Sequence, residues 1–300
     1  MKHFKLKLKS KQYSKETINI KHLKFYIIIN CRATYGSAIF ILGVKILKFI
    51  DCPSIPEDNA RMFIIDSRTP IEAKNMLARR GMLIETSLSK NTYPAISGHP
   101  DISVCHVGGK YVVTAPDSFE YYKALLSKYG FDVVCGRSEL LYSYPHNIQY
   151  NVAFVGKHAI HNFRHTDSLL LEHIQKQGYV MIDVKQGYSK CSTCVIDETA
   201  IITSDVGIHR AAMGFGIESL LIEKGGISLD GFEYGFIGGC SGLISRDEIA
   251  FIGDVTKHSY HFEIREFIEK RGKAIVNLGD FKLADYGSIM PLLEGCCWYN

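Results

Sequence analysis

No apolar run in the chain approaches the roughly 20 residues that span a bilayer, and no cleavable signal peptide opens it. The nine cysteines form no dense or regular disulfide pattern. These absences make a reduced, cytoplasmic setting the simplest expectation. No glycine-rich phosphate loop of recognised form, zinc quartet or dinucleotide fingerprint occurs, so neither cofactor nor metal is expected. Most of the chain also lacks a basic stripe of the kind nucleic acid requires. Residues 1–48 hold eleven Lys and Arg against one acid, Glu16, a net +10, whereas residues 49–300 hold 24 bases and 30 acids, a net −6. The basic head, 1–48, reads as a disordered extension or a start placed too far upstream. Contact of residues 1–50 with an anionic membrane surface is the remaining alternative. A single domain is expected over residues 49–300, and nothing in the sequence fixes an oligomeric state.

What the sequence does have is a repeat. An apolar content of 46% and a charged content of 22% suit a core-forming protein. From Phe63 onward a short strand, a polar break, an amphipathic helix, a glycine and a second apolar strand recur five times. The helices stop at Gly81, Gly130, Gly178, near Gly216, and at Gly272. Asp, Ser or Thr stands at several helix starts, as in Asp117-Ser118, Thr166-Asp167 and Ser204-Asp205, where a side-chain oxygen can accept orphan amide hydrogens. Four copies carry an extra strand ahead of them, over 99–107, 149–155, 187–196 and 236–244. The first copy has none. Tyr286-Gly287-Ser288-Ile289 echoes Tyr234-Gly235-Phe236-Ile237, so the C-terminal segment is predicted to complete the first unit. Five units at this spacing imply a radial or stacked array, and a closed array removes exposed strand edges.

The most unusual chemistry lies in Gly238-Gly239-Cys240-Ser241-Gly242. Three glycines in five residues suggest a bulge or the close approach of another group. Cys240 is a candidate nucleophile facing a cleft, and equally a small core residue. His99 and Asp101, two apart on a predicted strand, would share one face. Tyr188, Asn147, Asn151 and Glu233 are polar residues on or beside the predicted inner strands, and each suits either substrate contact or structural hydrogen bonding. Lys190 could lower the pKa of a nearby thiol or anchor a carboxylate. Cys191 and Cys194 have the spacing of a metal or redox pair, but residues three apart on a strand face opposite sides. His158, His161 and His165 scatter over a strand and loop, and Cys296-Cys297 follows the proposed closing strand.

Five strand–strand–helix–strand units over residues 60–293 resemble the pentein, or guanidine-modifying enzyme, fold. That group includes arginine and agmatine deiminases, amidinotransferases, dimethylarginine dimethylaminohydrolase and the non-catalytic ribosome anti-association factor six. The strings Tyr144-Pro145-His146-Asn147, 186–192 (Gln-Gly-Tyr-Ser-Lys-Cys-Ser) and 233–244 are similar to those of an uncharacterised, largely clostridial family of this fold. The resemblance implies an α/β propeller of five units, closed by the C-terminal segment. It also implies a small-molecule guanidine-like ligand. In the enzymes a cysteine on the inner strand of the last unit attacks the guanidinium carbon. By that likeness Cys240 would form a covalent thiouronium, His99 would move protons, and Asp101 or Glu233 would bind the cation. The fourth unit carries no His-x-Asp, which favours the alternative of a non-catalytic binding protein.

Overall fold

The computed structural model describes residues 26–28 and 45–295. Its second unit shows the plan. Strand Val104–His106 pairs antiparallel with Tyr111–Thr114, which pairs parallel with Asp132–Cys135. The antiparallel neighbours need only the tight turn at Gly108-Gly109, while the parallel pair requires a crossover, supplied by helix Phe119–Leu126. The same order recurs in the third unit (Ala153–Val155, His158–His161, Val180–Asp183). It recurs again in the fourth (Cys194–Asp197, Ala200–Thr203, Glu218–Leu221) and the fifth (Ser241–Leu243, Glu248–Phe251, Ala274–Asn277). The crossover helices are Ser168–Lys176, Val206–Gly214 and His261–Lys270. The cap chemistry is as the sequence predicts at two of them. Asp167 accepts from the amides of Leu169 and Leu170, and Asp205 from that of Ile208. Gly130, Gly178, Gly216 and Gly272 take the left-handed conformation that a helix stop favours.

The first strands of these units are shorter than the sequence predicts. Pro100–Ser103 and Ser189–Ser192 fold into single helical turns, and residues 236–240 into a further turn, ahead of their strands. A proline at the first helical position favours such a turn at Pro100. His99 and Asp101 therefore do not alternate along a strand.

The first unit consists of Ala60–Ile65, helix Ile71–Ala78 and Met82–Glu85. Its missing strand comes from the other end of the chain: Met290–Glu294 pairs antiparallel with Ala60–Ile65. This lies just beyond the predicted Tyr286–Ile289, because Gly287 and Ser288 have positive φ and turn the chain there. On the far side of Met290–Glu294 the sheet continues with Lys45–Phe49 and then Tyr26–Ile28. The predicted boundary at residue 48 thus falls inside a strand. The remainder of the basic head lies outside the described residues. Among the described residues no helix is long and apolar enough to cross a membrane.

Among the described residues the core is divided into five apolar clusters, each shared by two units. Met62 and Ile64 of the first unit pack with Val112, Tyr122 and Leu126 of the second. Val107 and Val113 of the second meet Phe154, Leu170 and Ile174 of the third. Val155 and Ile160 of the third meet Val195, Ile201 and Ile208 of the fourth. Ile196 and Ile202 of the fourth meet Leu243, Ile249 and Ile264 of the fifth. Ala250 and Ile252 of the fifth meet Phe63, Ile65 and Leu77 of the first. Each such aliphatic or aromatic side chain contributes roughly 1.5–3 kcal/mol on burial, so every unit depends on both neighbours.

Candidate functional site

Apolar packing holds the units together at their flanks, while polar groups join them where the turns before the first strands meet. Asn151, fully buried ahead of the third unit's first strand, joins the second unit to the fourth. Its amide Nδ2 donates to the Asp101 carbonyl at 3.0 Å and to Cys191 Sγ at 3.3 Å. Its Oδ1 accepts from the Lys190 amide at 2.8 Å and the Cys191 amide at 3.3 Å. The Cys191 thiol lies 3.2 and 3.1 Å from the two carboxylate oxygens of Asp101 and donates to that group. Cys191 O in turn accepts from the Gly239 amide of the fifth unit at 2.9 Å, and Gly239 O accepts from the amides of Tyr286 and Ser288.

The C-terminal segment contributes the next group, Asp285. Its carboxylate accepts from the Phe236 amide at 2.8 Å and the Gly287 amide at 3.0 Å. A side chain at Gly239 would overlap that carboxylate, and one at Gly287 would overlap the His99 ring. Here the glycine-rich stretch finds its physical reason. Gly239 leaves room for a buried carboxylate, Gly238 for the backbone of Lys190 and Thr193, and Gly242 for Ile289. The close approach anticipated from the sequence is real, but the group that benefits is Asp285.

His99 completes the cluster. Its Nδ1 stands 3.8 Å from Asp285 Oδ1, and among the described residues neither ring nitrogen has a hydrogen-bond partner, although the residue is only 2% exposed. A buried imidazole with two unmet nitrogens is costly unless something else satisfies it. One donor atom each of His99, Cys191 and Asp285 lies within 4.8 Å of the other two. All three line the floor of a cavity of about 300 Å³. Its wall is aromatic, with Tyr93, Tyr188, Phe232, Tyr234 and Phe236. Tyr188 donates its hydroxyl to Asn147 Oδ1 at 2.8 Å, so the Tyr93 hydroxyl, 3.1 Å away, donates to Tyr188.

Burial sets the protonation of the floor. It lowers His99 below its ordinary value, against the pull of Asp285, and leaves the imidazole neutral. It raises Asp101 to about 7, opposed by Lys190 and reinforced by Asp285. It also raises the Cys191 thiol well above its ordinary value, with Asp101 and Asp285 adding to the effect. The resting thiol is therefore protonated, next to a neutral base and a carboxylate. Thiol, imidazole and carboxylate are donor types that suit a soft divalent metal as well as nucleophilic chemistry.

Residues 64–290 match the sequence model of DUF6873, a family described as being of unknown function. The chain belongs to that family. No curated protein matches its sequence. Among solved structures, the inosamine-phosphate amidinotransferase of Streptomyces griseus is similar with a TM-score of 0.52 at 11% identity, over 81% of this chain and 97% of that one. An amidinotransferase of the saxitoxin biosynthetic pathway from Microseira wollei gives 0.47 at 12% identity, over 75% and 91%. C. jejuni agmatine deiminase with substrate bound gives 0.49 at 9% identity, over 87% and 100%. At 11% identity the likeness to the Streptomyces griseus enzyme is one of fold, and it is the pentein fold that the repeats resemble.

The structure sorts the predicted site residues of this DUF6873 chain into three groups. His99, Tyr188 and Glu233 line the cavity. Asp101, Asn147 and Asn151 are buried just behind it and hold Cys191 and Tyr188 in place, while Lys190 is buried beside Asp101. Cys240 is elsewhere. It is fully buried among Ile196, Ile237, Leu243 and Phe251, and its thiol bonds to the Ile237 carbonyl at 3.2 Å. The correction has a simple cause: residues 236–240 form a turn, which directs Cys240 into the apolar cluster between the fourth and fifth units. Cys194 lies in that same cluster, whereas Cys191 is in the site, so the two do not act as a pair. His161 is structural, bonding to Thr166 and to the Gly187 carbonyl. Cys296 and Cys297 lie outside the described residues. Sequence reasoning missed Cys191 as the site thiol and missed Asp285 altogether. A signal for the latter existed: in the echoed strings an acid precedes Tyr-Gly twice, as Glu233 and as Asp285.

Proposed function

We propose that the protein is a cysteine-dependent enzyme acting on a guanidine or amidine compound, with Cys191 as nucleophile. The observation that carries this reading is the convergence of Cys191, an unpartnered buried His99 and Asp285 on one aromatic-walled cavity. The five units are inferred to form a closed propeller. The five apolar clusters support this, as do the hydrogen bonds running from Asp101 through Asn151, Cys191 and Gly239 to Tyr286 and Ser288.

In this mechanism Asp285 holds the cationic head and the aromatic wall covers it. The cation also offsets the carboxylate field that keeps the thiol protonated, so substrate binding and thiol activation are coupled. Neutral His99 takes the Cys191 proton as sulfur bonds to the guanidinium carbon. The carbon–nitrogen bond to the leaving amine then breaks, and that nitrogen receives the proton from His99. A thiouronium remains on Cys191. Water or an acceptor amine attacks it, His99 takes the attacking group's proton, the carbon–sulfur bond breaks, and the proton returns to sulfur. Asp101 and Asn151 position the thiol without touching substrate.

The second reading is guanidine binding without turnover, favoured by the raised pKa of the resting thiol. Ammonia and amine release from a panel of guanidines, measured alongside calorimetric binding, separates the two. Release that is lost in Cys191→Ser supports the enzyme. Binding by wild type with no release supports the binding protein. The absence of any binding contradicts both.

A further inference from the structure

The cavity beyond the floor has a definite electrostatic character. Among the described residues its lining includes two acids, Asp285 and Glu233, and no lysine or arginine. Three cations lie near without facing it. Lys190 is buried beside Asp101. Lys224 stands over the Tyr234 ring, 6.0 Å from its centroid, and is not a lining residue. Arg68 lines a neighbouring hollow of about 460 Å³ that shares Leu229 and Asp285. Most of its guanidinium is committed: Nε and Nη2 bond to Asp66, Nη2 also to the Ala95 carbonyl, and Nη1, through one of its two hydrogens, to the Pro94 carbonyl.

The wall offers an anion little beyond the Tyr234 hydroxyl. The hydroxyl hydrogens of Tyr93 and Tyr188 are used within the Tyr93–Tyr188–Asn147 chain. Phe232 and Phe236 have none to give. Outward from the wall the surface stays apolar. Phe232 is 52% exposed with its ring 5.3 Å from that of Tyr93. Tyr142, 63% exposed, stacks edge-on against Tyr93, and Tyr144 leans on Tyr188. A ligand whose head reaches Asp285 and whose tail stays within this cavity meets these rings and Glu233.

We infer that the substrate's tail carries no carboxylate or phosphate and lays an uncharged or cationic body against the aromatic wall. This rests on the guanidine or amidine reading and narrows it. A carboxylate on the tail would be desolvated without a counter-charge and would face Glu233, and both effects weaken binding.

The test uses matched pairs differing by one carboxylate: agmatine against arginine, and phenethylguanidine against 4-(2-guanidinoethyl)benzoate. Binding to full-length Cys191→Ser is measured by calorimetry. The same four compounds are tested on wild type for protection of its thiols against a chloroacetamidine, so a poorly folded variant does not void the result. The expected outcome is that each acid binds about tenfold or more weakly than its partner, and that Glu233→Lys narrows both gaps. Equal or tighter binding of the acids overturns the inference while leaving the guanidine reading intact. If none of the four binds or protects, both fall.

Discussion

Two cysteines stand in the turns before the first strands of neighbouring units, one register position apart, and have opposite surroundings. Cys191 lies within the helical turn Ser189–Ser192 before the fourth unit's first strand, and Cys240 ends a turn before the fifth's. Both are buried, and burial raises both thiols well above their ordinary pKa. Yet Cys191 has Asp101, Asn151 and a cavity beside it, while Cys240 sits in an apolar cluster and bonds to one carbonyl. A glycine-rich frame is therefore a poor guide to which thiol reacts. The glycines around Cys240 make room for Asp285, and so serve the site from which Cys240 itself is excluded.

The sharpest way to break this comparison is to remove each thiol in turn. Cys191→Ser should lower turnover, or thiol labelling by an amidine, by about 10³-fold or more. Cys240→Ser should change either by less than about threefold. Next comes His99→Gln, which should lower turnover by roughly 10²-fold with circular dichroism unchanged, since the ring makes no hydrogen bond within 3.5 Å to any described residue.

Alkaline pH should show the one respect in which the thiols agree. Cys191, Cys240 and Cys194 (raised to about 11) have folded pKa values above the unfolded value of about 8.5. Their contribution to stability is full below that value and is lost as pH rises towards the folded values. The unfolding free energy should therefore fall steeply above about pH 9. Removing either thiol should flatten that slope by about 1.4 kcal/mol per pH unit, and urea unfolding at pH 9, 9.5 and 10 measures it. Gly239→Ala, which drives a methyl group into the Asp285 carboxylate, should weaken guanidine binding by about tenfold in the same calorimetry. The smallest effect belongs to Cys240→Ala. It should cost about 1 kcal/mol of stability by leaving a small void, with labelling of Cys191 unaltered.

Much of the fold was legible because its determinants are local. Asp167 and Asp205 cap helices, Gly130 and Gly178 stop them, and short apolar strands flank each one. The repeat of these signals identified the units and the contribution of the C-terminal segment. The site was less legible because it is built from turns whose conformation depends on their neighbours. Alternation on a strand placed His99 and Asp101 on one face. They do approach the same thiol, but from a helical turn, with His99 in the cavity and Asp101 behind it. Residue type does not distinguish Cys191 from Cys240, and their one-position difference in register shows only once the strands are paired. The distinction comes from Asn151, 40 residues upstream of Cys191, and from Asp285, delivered by the last segment of the chain.

The most direct test of the central claim is to label the wild-type protein with a chloroacetamidine at neutral pH and locate the adduct by peptide mass spectrometry. Cys191 as the first and fastest site modified is the result predicted here. Preferential modification of Cys240, or slow labelling spread evenly over the cysteines, would contradict it.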